Sequence, residues 1–176
     1  IPPVLAALEQ AGLAPLVFDE VREDPPEATV LAAVALARSG SVDGVIAVGG
    51  GSSMDVAKVV AVLLRGEQTL ADMYGVGKVT GGRFPLVLVP TTAGTGSEVT
   101  PVAIITTGET TKAGVSSPVL LPDVAVLDAA LTLGLPPAVT AMTGVDAMVH
   151  AIEAYTSRHK KNPLSDNLAL QALHLL

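Results

Sequence analysis

Three unbroken aliphatic runs of strand length mark this chain: Val45-Ile46-Ala47-Val48, Leu86-Val87-Leu88-Val89 and Val124-Ala125-Val126-Leu127. A strand with one wet face alternates apolar and polar residues, whereas a strand covered on both faces reads as continuous Val/Ile/Leu. Between the runs lie segments of helical spacing. Ala28 to Arg38 repeats apolar positions at that period and stops at Ser39-Gly40. A second helix, capped by Ser52 or Ser53, runs to about Leu64 and stops at Gly66. Strands alternating with helices predict an α/β parallel sheet. Short strands are also expected at Pro15–Phe18 and Val102–Thr106, with a turn at Thr107–Thr110, and Val4–Gln10 reads as a helix tail closed by Gly12.

The texture changes at Pro136-Pro137. Beyond it, Ala138–Tyr155 and Ser165–Leu176 are helical and no strand pattern recurs. The expected organisation is an α/β domain over residues 1–135 followed by the beginning of an all-helical domain over 136–176. A start without Met and a stop in mid-helix at Leu175-Leu176 make a fragment the expectation.

Composition narrows the functional classes. With 10 Lys+Arg against 17 Asp+Glu, a net charge of -7 and only 2% aromatics, the chain lacks the basic face and stacking rings of a nucleic-acid binder. It has no cysteine, which excludes disulfides, thiolate metal sites and Cys nucleophiles and is compatible with a reducing, cytoplasmic compartment. Its longest uncharged stretch, Ala129–Val145, is interrupted by Gly134, Pro136 and Pro137, so no membrane span is expected.

Three motifs carry chemistry. Gly49-Gly50-Gly51-Ser52-Ser53-Met54-Asp55 follows a strand and opens a helix. Unpaired amides at a helix N-terminus suit a pyrophosphate, and a branched side chain at Gly50 would block the approach and strain any φ > 0 conformation. Met54 stands where a dinucleotide fingerprint has its third glycine, and no Lys-Ser/Thr pair follows as in a P-loop, so a ligand-free tight turn is the competing reading. Asp55 and Lys58 in the first turns are either site groups or an exposed ion pair. Second, Pro90–Thr100 places five hydroxyls and two glycines after the next strand, at the carboxyl end where α/β sheets bind ligands. The alternative is a loop satisfying its own polar groups. Third, Asp146 and His150 lie four apart on one helix face. Carboxylate plus imidazole suits Zn2+ or Fe2+, although on the pair alone an internal hydrogen bond is the favoured reading, because two ligands do not make a site. His159 reads as a solvated surface residue and His174 as a core or domain-contact residue.

Taken together and in this order, Gly49-Gly50-Gly51-Ser52-x-x-Asp55-x-Ala57-Lys58, Pro90–Thr100 and Gly144-x-Asp146-Ala147-Met148-x-His150-Ala151-Ile152-Glu153 resemble the iron-containing (group III) alcohol dehydrogenase family. The resemblance implies a Rossmann-like dinucleotide-binding domain, an all-helical metal-binding domain and an active site between them. It implies hydride transfer between NAD or NADP and an alcohol/aldehyde or ketone pair. A divalent metal, Fe2+ or Zn2+, would act as Lewis acid on the substrate oxygen. Gly50, Gly51 and Ser52 would hold the pyrophosphate, Thr91, Thr92 and Ser97 would line the cofactor groove, Lys112 would reach the ribose or nicotinamide side, and Asp55 is counted among the cofactor-binding residues. Asp146 and His150 would be two of four metal ligands. The partners expected are a small-molecule substrate and a second copy of the chain, as homodimer or higher homo-oligomer. The family's first strand would precede Ile1, and Asp24 before Pro25 replaces an Asn common in the family. Polyol-phosphate dehydrogenases and dehydroquinate synthases share the glycine turn, and a non-catalytic nucleotide-binding module is the reading should the chain end at Leu176.

Overall fold

In the computed structural model, which describes residues 2–176, α1 (Pro2–Gln10) ends at Gly12, whose φ of 78° is the left-handed turn that a side chain resists. An extended stretch then leads to α2 (Glu27–Ser39). The βα unit β1 (Val45–Gly49) and α3 (Gly51–Arg65) follows. A short turn of helix, α4 (Leu70–Met73), precedes β2 (Gly75–Val76), β3 (Leu86–Pro90), β4 (Val102–Thr107), β5 (Thr111–Ser116) and β6 (Val124–Ala125). The chain closes with α5 (Pro137–Thr156) and α6 (Pro163–Leu175). Each of these last two helices carries proline at its first position, where the missing N–H costs nothing.

The three aliphatic runs form one parallel sheet, in the order β1-β3-β6. Val45 pairs with Leu86 and Val48 with Val89, so Gly49 and Pro90, the last residues of their strands, end level. That register sets the glycine turn beside the threonine loop. A smaller sheet, ordered β2-β5-β4, is built on the antiparallel β4–β5 hairpin, with Gly108 (φ 66°) in its turn.

Helix α3 lies between the two sheets. Met54, Ala57 and Ala61 pack with Ala47, Leu86 and Leu88, while Val56, Val59, Val60 and Leu63 pack with Ala103, Ile105, Val115 and the α2 residues Val30 and Val34. A helix apolar all round is a buried helix, and every residue from Val56 to Leu63 is buried.

Three expectations require correction. The runs predicted strands covered on both faces, yet Ile46 of β1 is 42% exposed and Val124 of β6 is 49% exposed. Helix α3 covers one face of this sheet; only the central strand β3 is almost wholly buried. Pro15–Phe18 is not a strand: among the described residues no backbone hydrogen bond ties 14–21 to a neighbour, and Leu16 and Val17 stay exposed. A strand exists only with a ladder partner. The last strand also stops early, at Ala125, although the Val126 amide still donates to Leu88 O. Among the described residues no helix is long and apolar enough to cross a membrane.

Candidate functional site

Gly50 occupies the N-cap of α3 in extended backbone (φ -78°, ψ -174°), and no side chain caps the helix. The amides of Gly51, Ser52 and Ser53 therefore have no intrahelical acceptor, and the helix dipole makes that end attractive to an anion. None of Gly49, Gly50 and Gly51 has a positive φ. At Gly51 what requires glycine is space, not the left-handed conformation allowed for in the sequence. A Cβ at Gly51 would come 2.9 Å from Thr95 Cγ2, and one at Gly50 would sit 3.5 Å from Thr92.

The threonine loop lies against this turn. The Thr91 amide donates to Gly49 O at 2.9 Å, continuing the β1–β3 ladder past the strand ends. Thr91 and Thr92 are half-buried, and Thr95 is exposed. Gly94 performs a second close approach: a Cβ there would lie 2.7 Å from Thr143 O and 2.9 Å from Thr143 Cβ. The loop is thus seated on α5 one turn before Asp146. The structure brings Gly50, Gly51, Ser52, Thr91 and Thr92 together.

Asp55 and Ser97 are engaged elsewhere. Ser97 is buried, its hydroxyl donating to Asp55 Oδ1 at 2.8 Å and accepting from Lys58 Nζ at 2.8 Å. Neither the donor nor that acceptor is free for a ligand. The other Asp55 oxygen accepts from the Ile104 amide at 3.0 Å. Burial raises the Asp55 carboxyl above its usual range, opposed by the Ile104 amide, the Ser97 hydroxyl and Lys58. Lys58 is 0% exposed and donates also to Thr100 Oγ1 at 3.2 Å and Val102 O at 2.8 Å. The exposed ion pair weighed from the sequence is therefore a buried network joining α3 to the end of the threonine loop and the start of β4. The signal was available: Lys58 is the single charge in the otherwise apolar Val56–Leu63 run.

Lys112 lies apart from this cluster, on β5, where its ammonium meets Asp24 Oδ1 at 2.5 Å. Asp24 has a φ of 50°, and Thr106 bonds to the Asp24 and Pro25 carbonyls, so this bridge holds the Asp24–Pro26 loop to the β4–β5 hairpin. Both side chains are more than half exposed, so the pair contributes little stability.

Asp146 and His150 face each other on α5, Nε2 to Oδ1 at 3.7 Å, with side chains 45% and 57% exposed. An open carboxylate and imidazole one helical turn apart fit half of a four-ligand divalent site. Among the described residues no third His, Asp or Glu joins them. His159 and His174 are exposed, so His174 is not a core residue within the described chain. A hollow of about 560 Å³ at the opposite, amino ends of β3 and β6 is lined by Arg83 and Asp123 and contains none of these groups.

The sequence model described as iron-containing alcohol dehydrogenase matches residues 1–129, and that of the C-terminal region of the Fe-containing alcohol dehydrogenase family matches residues 140–176. The chain is 45% identical over 179 residues to the long-chain-alcohol dehydrogenase 1 of Geobacillus thermodenitrificans, covering 98% of this chain and 44% of that protein. It superposes on a crystal structure of 1,3-propanediol oxidoreductase with a TM-score of 0.94 at 38% identity, covering 99% of this chain and 46% of the other. The sulfoacetaldehyde reductase of Bifidobacterium kashiwanohense, solved in complex with NAD+, superposes at 0.86 with 36% identity, covering 96% of this chain and 46% of the other. The chain spans less than half the length of these relatives. With the glycine turn, the threonine loop and the Asp146/His150 helix in the arrangement described, the chain belongs to the iron-containing alcohol dehydrogenase family.

Proposed function

We propose that the enzyme containing this chain transfers a hydride between NAD or NADP and an alcohol/aldehyde or ketone pair, assisted by a divalent metal, Fe2+ or Zn2+. One observation carries the reading: the uncapped N-terminus of α3 opens beneath Thr92 and Thr95, with glycine at Gly51, where a Cβ would crowd Thr95, and at Gly50, which leaves the space before the helix unfilled. In this reading the Gly51 and Ser52 amides hold the pyrophosphate, and Gly50 leaves room for it. The Ser52, Thr91 and Thr92 hydroxyls supply further donors along the groove.

When bound, the nicotinamide supplies or accepts hydride, and the metal polarises the substrate oxygen as a Lewis acid. Asp146 and His150 would ligate the metal through open side chains. Residues 1–135 form the dinucleotide-binding domain in this reading, and 136–176 begin the metal-binding helical domain. The seating of Gly94 on Thr143 joins the cofactor loop to the metal helix, which orients one bound group relative to the other.

The test uses the full enzyme with NADH or NADPH, a panel of short aldehydes and ketones, and Fe2+ or Zn2+. Metal-dependent oxidation of the reduced cofactor is expected with at least one pairing. A folded protein that turns over none of them overturns the reading.

A further inference from the structure

Helix α3 carries one charge in its buried run, and that charge has a full set of partners. The Lys58 ammonium has three N–H donors, and three acceptors meet it: Ser97 Oγ, Thr100 Oγ1 and Val102 O. Ser97 and Thr100 close the threonine loop, and Val102 opens the strand after it. Asp55 completes the link from the first turns of the same helix, its carboxylate 3.8 Å from Nζ and bonded to both Ser97 and the Ile104 amide. Among the described residues the charges facing Lys58 are Asp55 and Glu98, and β1, β3 and β4 carry none.

We propose that Lys58 is a positioning residue for the dinucleotide: its ammonium fixes the threonine loop against the first turn of α3, and cofactor affinity falls when its proton leaves. This rests on the dinucleotide reading of the cradle. A neutral amine keeps two donors for three acceptors and leaves the half-buried Asp55 carboxylate without its counter-charge. The 97–102 segment then loses part of its anchor, and Thr92 and Thr95, a few residues upstream, lose their fixed register over Gly50 and Gly51. Linkage gives the same sign. A pyrophosphate on the cradle favours the charged form of a buried neighbour, so the charged form must favour the pyrophosphate equally.

Burial pulls the Lys58 ammonium down to about 8, opposed by Asp55 and Glu98. Because its pKa in the fold lies below the ordinary lysine value, this group's contribution to folding stability rises with pH between about 8 and 10.5. Cofactor affinity falls through the lower part of the same window. A purely structural lysine would not make the two move in opposite directions.

The experiment is a fluorescence titration with NADH from pH 6 to 10 on the full metal-loaded enzyme, as wild type, Lys58→Met and Thr100→Val, with melting recorded at each pH. Wild type should hold affinity steady to about pH 7 and lose it through about pH 8. Lys58→Met should bind about tenfold more weakly at neutral pH and show no such transition. If Lys58→Met does not fold, Thr100→Val decides: it removes one acceptor from the ammonium and should move the wild-type midpoint to lower pH. Wild-type affinity and pH profile in Lys58→Met, an unmoved midpoint in Thr100→Val, or a wild type whose affinity is flat to pH 9 each overturns the proposal while leaving the cofactor reading intact. A folded wild type that binds neither NADH nor NADPH at pH 6.5 overturns both.

Discussion

Gly94 shows how one missing side chain decides where two parts of the molecule meet. A Cβ there would enter the backbone of α5 at Thr143, which cannot rotate away as a side chain can. Gly94→Ala should therefore lift the threonine loop from the helix, at a cost of about 1–3 kcal/mol for overpacking. The check is a denaturant melt together with an NADH titration, both of which should weaken. At Gly50 a Cβ finds only ordinary contact with Thr92 at 3.5 Å, so the fold should tolerate a side chain that the proposed pyrophosphate would not. Glycines of one sequence motif thus differ in purpose, and only the packing around them tells which is which. Lys58 was legible as an odd charge in an apolar run. Its burial was not, because that depends on a second sheet closing over the far side of α3.

At the scale of elements, long apolar runs were legible and short polar strands were not. The sequence pattern located β1, β3, β4, α2, α3, α5 and α6 because each carries its own periodicity. It missed β5, Thr-Lys-Ala-Gly-Val-Ser, whose strand character comes from its hydrogen bonds to β4 and from the burial of Val115. The two-residue β2 has no pattern to read. Pro15–Phe18 failed in the opposite way, with a suitable composition and no strand beside it. Elements are also tied by single side chains. Arg83 donates to the Val119, Leu121 and Phe84 carbonyls and pairs with Asp123, which also accepts from the Leu86 amide at 2.8 Å. This clamp fixes the start of β3 beside the approach to β6. The Arg83 guanidinium and the Leu86 amide hold the Asp123 carboxyl down to about 2. Its contribution is complete above the ordinary carboxylate range and is lost as pH falls toward about 2. The carboxylate is 54% exposed and screened, so Asp123→Ala should cost about 1–2 kcal/mol. Melting curves between pH 2 and 7 should show wild type converging on the variant in acid; a constant gap would refute the clamp's role.

At the scale of the whole molecule, the glycine-turn cradle and the Asp146/His150 helix are built from separate parts of the chain and touch through Gly94 and Thr143. The sequence showed both motifs and their order. The contact between them depends on backbone proximity, which no residue pattern encodes. Separate construction means the two functions should be separable by mutation. Gly50→Val alters the cradle and leaves α5 untouched, whereas His150→Ala removes one of the two proposed ligands and leaves the cradle intact. The most direct measurement is an NADH titration paired with elemental analysis on the full enzyme as wild type, Gly50→Val and His150→Ala. The account predicts a crossed result: Gly50→Val retains metal and loses at least about tenfold in NADH affinity, while His150→Ala loses metal and binds NADH as wild type does. A folded Gly50→Val with wild-type NADH affinity, or a His150→Ala with full metal content, would contradict it.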